Sequence, residues 1–426
     1  MDFIRRGGTR QAAFDRAVAL PYSGSMLTWE DLAKDLSIQT ESKIVLLVID
    51  GLGGLPLRGK TELETAETTN LDRLAMRGCC GVTDPVLMGI TPGSGPAHLA
   101  LFGYDPLRYR LGRGILEALG SDVEVRQGDL VARGNFATLR DGLIVDRRAG
   151  RIATEECARL CAVLNAALAA RKDPEVTLTP GKEHRFVARF RTAGLSDALT
   201  DADPQKDHKP LVKAQALDAA SAKAAAVVNA FLDDVIKILA AEPVANAALL
   251  RGFSAQPSIP LMPDLTKLRP AAIANYPMYK GLAKLIGMTA YKVGQETEDL
   301  FTTIEAHYAE HDFFYVHYKK TDAAGEDGNF EAKVRAIEEI DAFLPRLEAL
   351  KPDVLVVTAD HSTPALMAGH SFHPNPFLLV APTALPDETG VFTERECAGG
   401  LLGRFPSLRA MPLMLGHAGK LKKFGA

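Results

Sequence analysis

Asp353-Val-Leu-Val-Val-Thr-Ala-Asp360-His361-Ser-Thr-Pro364 is the stretch whose reading decides the fold. Val354 to Val357 form an unbroken apolar run, the pattern of a strand buried on both faces. The run stops at an acid beside an imidazole. In open α/β sheets, ligands gather beyond the carboxyl ends of the strands, so Asp360 and His361 stand where chemistry is expected. His370 and His373 follow within Ala-Gly-His370-Ser-Phe-His373-Pro. Carboxylate oxygen beside imidazole nitrogen suits a divalent transition metal such as Mn or Zn. One Asp-His pair is equally well a helix cap beside a surface histidine. Recurrence of the pattern is what argues for a site.

It recurs twice. Lys43-Ile-Val-Leu-Leu-Val-Ile-Asp50-Gly51 is a second apolar run ending in an acid, followed by a glycine-rich turn. Phe313-Phe-Tyr-Val-His317-Tyr-Lys319-Lys320-Thr321-Asp322 reads as a third strand ending in an acid. Ala323 to Gly328, with Glu326 and Asp327, reads as the loop after it. A different element is Thr91-Pro-Gly93-Ser94-Gly95-Pro96, a sharp turn feeding a helical segment. A serine there lies near a helix N-terminus, where N–H groups and the dipole favour an anion. A capping serine is the plainer explanation, but two flanking glycines leave room for a bulky group that a cap does not need.

Around these runs the chain divides. The α/β pattern holds to about residue 111 and resumes near 296, so residues 1–111 and 296–426 are expected to form one core domain. Residues 112–295 are expected to form an inserted α+β substrate domain. Within the insertion lie Asp146-Arg147-Arg148-Ala-Gly-Arg151, a candidate anion clamp, a helix over Thr154 to Lys172, and a long amphipathic helix over Ala214 to Ala241. Thr69 or Asn70 is the expected cap of the helix near residue 70.

Composition narrows the function classes. Of 426 residues, 47% are apolar and 24% charged, with a net charge of −4. No basic excess points to nucleic acid or to an anionic membrane, and no run approaches the ~18 apolar residues of a membrane span. Five cysteines, an odd number, imply no disulfide framework. The first residues lack the apolar core of a signal peptide. A cytoplasmic protein is therefore expected. A homo-oligomer is left open.

Three acids at strand ends, with Ser94 and several histidines, are enough for two divalent metals and one nucleophile. Two metals ~4 Å apart can hold both oxygens of a phosphoryl displacement, and a serine hydroxyl needs such help at neutral pH. At these residues the chain resembles the alkaline phosphatase superfamily, and more closely the archaeal-type cofactor-independent phosphoglycerate mutases. The resemblance is carried, in order, by Val-Ile-Asp50-Gly, Pro-Gly-Ser94-Gly-Pro-Ala-His98, Asn135-Phe-Ala-Thr, Asp146-Arg-Arg-Ala-Gly-Arg151, His317-Tyr-Lys-Lys-Thr-Asp322 and Thr-Ala-Asp360-His-Ser-Thr-Pro. It implies an alkaline-phosphatase-like core sheet with helices on both faces and two metal ions, Mn before Mg, Co or Zn.

Matched residue by residue, the resemblance gives one metal Asp50, Ser94, Asp360 and His361, and the other Asp322, Glu326 and His370. Phosphoryl would pass from 3-phosphoglycerate to Ser94 and return to the 2-hydroxyl of the same glycerate, without bisphosphoglycerate. Arg147, Arg148 and Arg151 would hold the glycerate, Lys319 the phosphate, and Asp146 would be a proton shuttle. Many relatives have histidine where this chain has Glu326, so Asp327 or His373 is a competing ligand. A hydrolase of phosphate mono- or diesters, or a non-catalytic metal-binding homologue, would share the same core.

Overall fold

The computed structural model describes residues 29–109, 111–170 and 173–425. The three expected strands are present as Ile44–Ile49, Phe313–Tyr318 and Val354–Thr358. They lie side by side and parallel at the centre of an eight-stranded sheet. Their apolar runs have a simple cause. Ile44, Leu46 and Val48 pack into a core on one face of the sheet, and Val45, Leu47 and Ile49 into a core on the other. With helices on both faces, neither set of side chains can be polar. Full burial of each such side chain contributes roughly 1.5–3 kcal/mol.

The sheet is mixed. Asn375–Val380 runs antiparallel to both Val354–Thr358 and Cys79–Asp84. On the other flank, Pro270–Ile273 pairs parallel with Phe313–Tyr318, and Thr289–Ala290 extends the edge. These last two strands fall within 112–295, the range expected for the insertion. By strand pairing they belong to the large sheet.

A second sheet, of six strands, is built from residues 130–255. Leu130–Arg140 is its centre, paired antiparallel with Arg185–Arg191 on one side and Ala247–Ala255 on the other. Two helices cover it, Thr154–Leu168 and Ala222–Ile238, burying Leu160, Leu164, Val228 and Phe231 in a third core. Both are shorter than their periodicity suggested. The second begins only after an Asp218–Ser221 capping turn, and Lys172 lies outside the described residues.

The two sheets meet through the helix Arg113–Gly120, which packs on the helix Pro277–Leu285 and on the small sheet. The contact is backbone to backbone. A Cβ on Gly281 would stand 1.8 Å from the Leu116 carbonyl oxygen, and one on Gly120 would stand 1.9 Å from that of Pro277. Near residue 70, the helix Thr69–Ala75 starts one residue before a Thr69 cap would place it and two before an Asn70 cap would. Thr68 holds the cap position without a capping side-chain bond. Asp341, from the helix Phe330–Ala349, accepts the N–H groups of Asn70 and Leu71 instead. Among the described residues no helix is long and apolar enough to cross a membrane.

Candidate active site

The central strands are in register, with Ile49 opposite Tyr318 and Val48 opposite Thr358. Their carboxyl ends are therefore level, and the residues just beyond them converge. Asp50 follows the first strand directly, and Asp360 and His361 follow the third. Asp322 differs from expectation. It lies in the first turn of a helix, Lys320–Glu326, and the loop expected over 323–328 is largely that helix. Four residues along a helix share a side, so Glu326 stands above Asp322. Asp50, Asp322, Asp360 and His361 are all wholly buried.

Two groups have donor atoms close enough to share an ion: Asp50, Asp360 and His361, and Asp322, His361 and His370. His361 Nε2 lies 3.4 Å from Asp50 Oδ1 and 3.1 Å from Asp360 Oδ2. The His370 ring stacks on His361 at 3.6 Å, and its Nε2 is 3.7 Å from Asp322 Oδ1. Thr363 settles the tautomer of His361. Its hydroxyl donates its one proton to Asp322 Oδ1, 2.6 Å away, so toward His361 Nδ1 at 3.0 Å it can only accept. Nδ1 then carries the proton, and Nε2 presents its lone pair to Asp50, Asp360 and Ser94.

The electrostatics fit cations. Asp50 Oδ1 and Asp360 Oδ2 are buried with no hydrogen-bond partner, a costly state for a carboxylate unless a positive charge is bound. Burial and repulsion from Asp50 and Asp322 push the Asp360 carboxyl well above its ordinary range. Burial also acts to raise Asp50, but Lys319 and a hydrogen bond from His317 outweigh it and hold Asp50 well below the usual carboxylate range.

Ser94 is the first residue of the helix Ser94–Leu101, and Gly93 caps it without a side chain. Its hydroxyl stands 3.2 Å from His361 Nε2. A Cβ at Gly93 would meet nothing nearer than 3.9 Å, and one at Gly95 nothing nearer than 3.5 Å. Both glycines therefore leave room for a ligand and relieve no clash within the protein. A serine hydroxyl with open space around it, at a helix N-terminus and beside paired carboxylate–imidazole clusters, is equipped for phosphoryl transfer.

Known proteins agree. A family model described as 2,3-bisphosphoglycerate-independent phosphoglycerate mutase matches residues 75–245. A probable 2,3-bisphosphoglycerate-independent phosphoglycerate mutase from Thermosipho africanus is 54% identical over 402 residues, covering 94% of this chain and 100% of its own. The chain belongs to this family. A probable mutase from Thermus thermophilus is 53% identical over 92% of this chain and 98% of its own. Among solved structures, the cofactor-independent phosphoglycerate mutase of Thermoplasma acidophilum matches with a TM-score of 0.68 and 30% identity, over 88% of this chain and 100% of that one. The PH0037 protein of Pyrococcus horikoshii matches with a TM-score of 0.77 and 28% identity, over 90% and 99%.

In this member of the family, Ser94 opens into a cavity of about 310 Å³ whose wall includes Arg113, Arg133, Lys319, Glu326 and His370. Lys319 bonds Asp322 and lies 3.2 Å from Asp50 Oδ2. Its burial is outweighed by those two carboxylates, which raise its pKa, so it stays charged. Glu326 is at the rim. Its side chain is 54% exposed, with Oε1 3.7 Å from His370 Nε2. Asp327 is exposed, and His373 faces Ser371 and Phe372; Glu326, Asp327 and His373 all fall outside the two donor groups.

The arginine cluster is not part of the cavity wall. Arg147 forms a two-pronged pair with the buried Asp203 at 2.8 and 2.7 Å. Asp146 accepts the backbone N–H groups of Arg148 and Gly150 and so shapes its own turn. Arg148 and Arg151 are exposed. The cationic wall is instead Arg113 and Arg133, and the two extend with Arg251 into an adjoining hollow.

Sequence reasoning also passed over the layer behind the carboxylates. Tyr279 donates to Asp50 Oδ2 and stacks at 3.7 Å on His317, whose Nε2 lies 3.1 Å from the same oxygen. His98 donates from Nδ1 to the Ser94 carbonyl at 2.8 Å, and burial with the nearby His317 pushes it down to about 3, so it is neutral. A histidine inside a wholly buried strand was the available signal for His317. Tyr279 had none, because its partner lies 229 residues away.

Proposed function

We propose that this protein interconverts 3-phosphoglycerate and 2-phosphoglycerate through a phosphoserine at Ser94. The observation that carries the reading is the Ser94 hydroxyl at a helix N-terminus, 3.2 Å from an imidazole shared by two carboxylate–imidazole clusters and open to a cavity that Arg113, Arg133 and Lys319 help to line. Asp50, Asp360, His361 and Ser94 would hold one divalent ion, and Asp322, His370 and Glu326, with His361 within reach, the other. Bound there, the ions would neutralise phosphoryl oxygens and lower the pKa of the serine hydroxyl. The carboxylate-rich donor set favours Mn over softer ions. Buried, unpaired cysteine thiols suit a reducing cytoplasm.

The chain's own residues have separable tasks. Ser94 Oγ would attack phosphorus and lose its proton as the bond from phosphorus to the glycerate 3-oxygen breaks and that oxygen takes up a proton, with the N–H groups of the first helical turn facing the transferred oxygens. Lys319 offers its ammonium to the same group. Arg113 and Arg133 hold the glycerate carboxylate, so that it stays bound while its hydroxyls exchange places. The small sheet, which supplies Arg133 to the cavity wall, would shield the phosphoserine from water, and such shielding separates a mutase from a hydrolase. An assay of 3-phosphoglycerate with Mn and no bisphosphoglycerate tests the reading. Formation of 2-phosphoglycerate is expected. Release of inorganic phosphate as the main product would make the protein a phosphatase.

A further inference from the structure

Lys333 is out of place by every rule of helix patterning. It stands on the apolar stripe of the helix Phe330–Ala349, in line with Ile337, Ile340, Leu344 and Leu347, and is wholly buried. A buried ammonium is tolerated only where it is paired and hydrogen bonded. Its Nζ donates to the Gly53 carbonyl at 2.9 Å and to the Thr363 carbonyl at 2.8 Å. Glu62, itself buried, is 3.9 Å away. Gly53 comes three residues after Asp50, and Thr363 two residues after His361.

We propose that Lys333 is a positioning residue for the mutase: its ammonium clamps the Gly53 and Thr363 carbonyls and so sets the separation of the two loops that carry Asp50 and His361. The proposal rests on the reading of those two residues as metal ligands.

The surroundings of the clamp support this role. The Thr363 N–H donates to the carbonyls of Gly51 and Gly53, at 3.2 and 3.1 Å. The Thr363 hydroxyl reaches Asp322 and His361. A Cβ on Gly325, in the Asp322 helix, would stand 2.2 Å from the Thr363 carbonyl oxygen. Segments bearing Asp50, Asp322 and His361 therefore meet at one threonine, and Lys333 is the cation beneath it. Its two bonds are charge-assisted and stronger than neutral ones. An apolar residue at 333 would leave two buried carbonyl groups without this donor and would loosen the junction. Glu62 is turned another way. It accepts the Ala365 N–H at 2.7 Å through Oε1, and its Oε2 has no partner. It acts as charge balance and takes no part in the clamp.

The test separates clamping from charge balance. The double variant Lys333→Met/Glu62→Gln removes the ammonium and its nearest carboxylate together, so no buried charge is left unmatched between them. Mn is titrated calorimetrically into the purified full chain, and amide hydrogen exchange is followed in the metal-free protein. Mn affinity is expected to fall at least about tenfold, as when supports of metal ligands are removed. The amides of Gly53 and Thr363 should exchange faster, and the KM for 3-phosphoglycerate at saturating Mn should stay within about twofold. Wild-type Mn affinity and exchange in the folded double variant would overturn the proposal and leave Lys333 as the counter-charge of Glu62. If the double variant does not fold, Lys333→Arg decides. Its larger fork must part the two carbonyls, so unchanged Mn affinity there would overturn the clamp. Failure of the wild type itself to bind Mn would instead overturn the assignment of the ligands.

Discussion

Arg147→Ala separates a substrate arginine from a structural one. Arg147 Nε and Nη2 meet both oxygens of Asp203, whose side chain is 0% exposed against 18% for Arg147. Removing one partner of a buried pair costs roughly 3–5 kcal/mol, because the other charge is left in a low-dielectric site. Asp203 would keep two partners, Arg251 Nε at 3.3 Å and the Gln205 N–H at 2.8 Å. The expected loss is therefore at the low end, about 3 kcal/mol. Urea unfolding followed by circular dichroism measures it, with Arg148→Ala as the control. Arg148 is exposed, so its removal should change stability by no more than about 0.5 kcal/mol. The double variant Arg147→Ala/Asp203→Ala should cost less than the two single changes summed, because the pair acts as a unit. The KM for 3-phosphoglycerate should change little in Arg147→Ala, since the guanidinium fork is already filled. An Arg147→Ala variant within about 0.5 kcal/mol of wild type, with a KM raised tenfold, would refute this reasoning and return Arg147 to the substrate.

Ser94→Ala should lower kcat by at least about a thousandfold while Mn still binds, because Asp50, Asp360 and His361 remain; near-normal turnover would rule out the phosphoserine. Chelation should abolish activity and Mn should restore it, and full activity in protein shown by elemental analysis to be metal-free would remove the two-metal reading. Glu326→Gln should weaken one of the two Mn sites in calorimetry by about tenfold, and Glu326→His should shift preference toward Zn or Co; equal stoichiometry and affinity in wild type and Glu326→Gln would take this half-exposed carboxylate out of the site. Gly281→Ala forces a Cβ to within 1.8 Å of a backbone oxygen, an overlap no rotamer relieves, so a loss of about 3 kcal/mol or more is expected; a melting temperature equal to wild type would show that the two helices part freely.

Much of the chemistry was legible in the chain. Apolar runs ending at Asp50 and Asp360 mark strands buried on both faces, because short runs rich in Val and Ile suit a strand that has no solvent face. The same logic brings their next residues to one sheet edge. The glycine-flanked Ser94 was legible too, since few other uses explain small residues on both sides of a helix-starting serine. Asp322 shows the limit of local reading. Polar residues after a strand look alike whether they form a loop or a first helical turn, and only the helix Lys320–Glu326 decides which side chains rise together.

What the sequence by itself determined was the set of residues that must lie near one another at the end of a buried sheet, since burial and periodicity are properties of short stretches. Tertiary structure alone decided which cations face the cavity. Arg147 looked like an anion ligand until Asp203, 56 residues on, was found to hold it. Arg113 and Arg133 gave no local sign, yet helix packing through Gly120 and Gly281 carries the Arg113–Gly120 helix to the cavity wall. The physical reason is the same in each case. A charged side chain reads alike in sequence whether it meets a carboxylate, a ligand or water, and the partner that distinguishes them is supplied by chain segments far away.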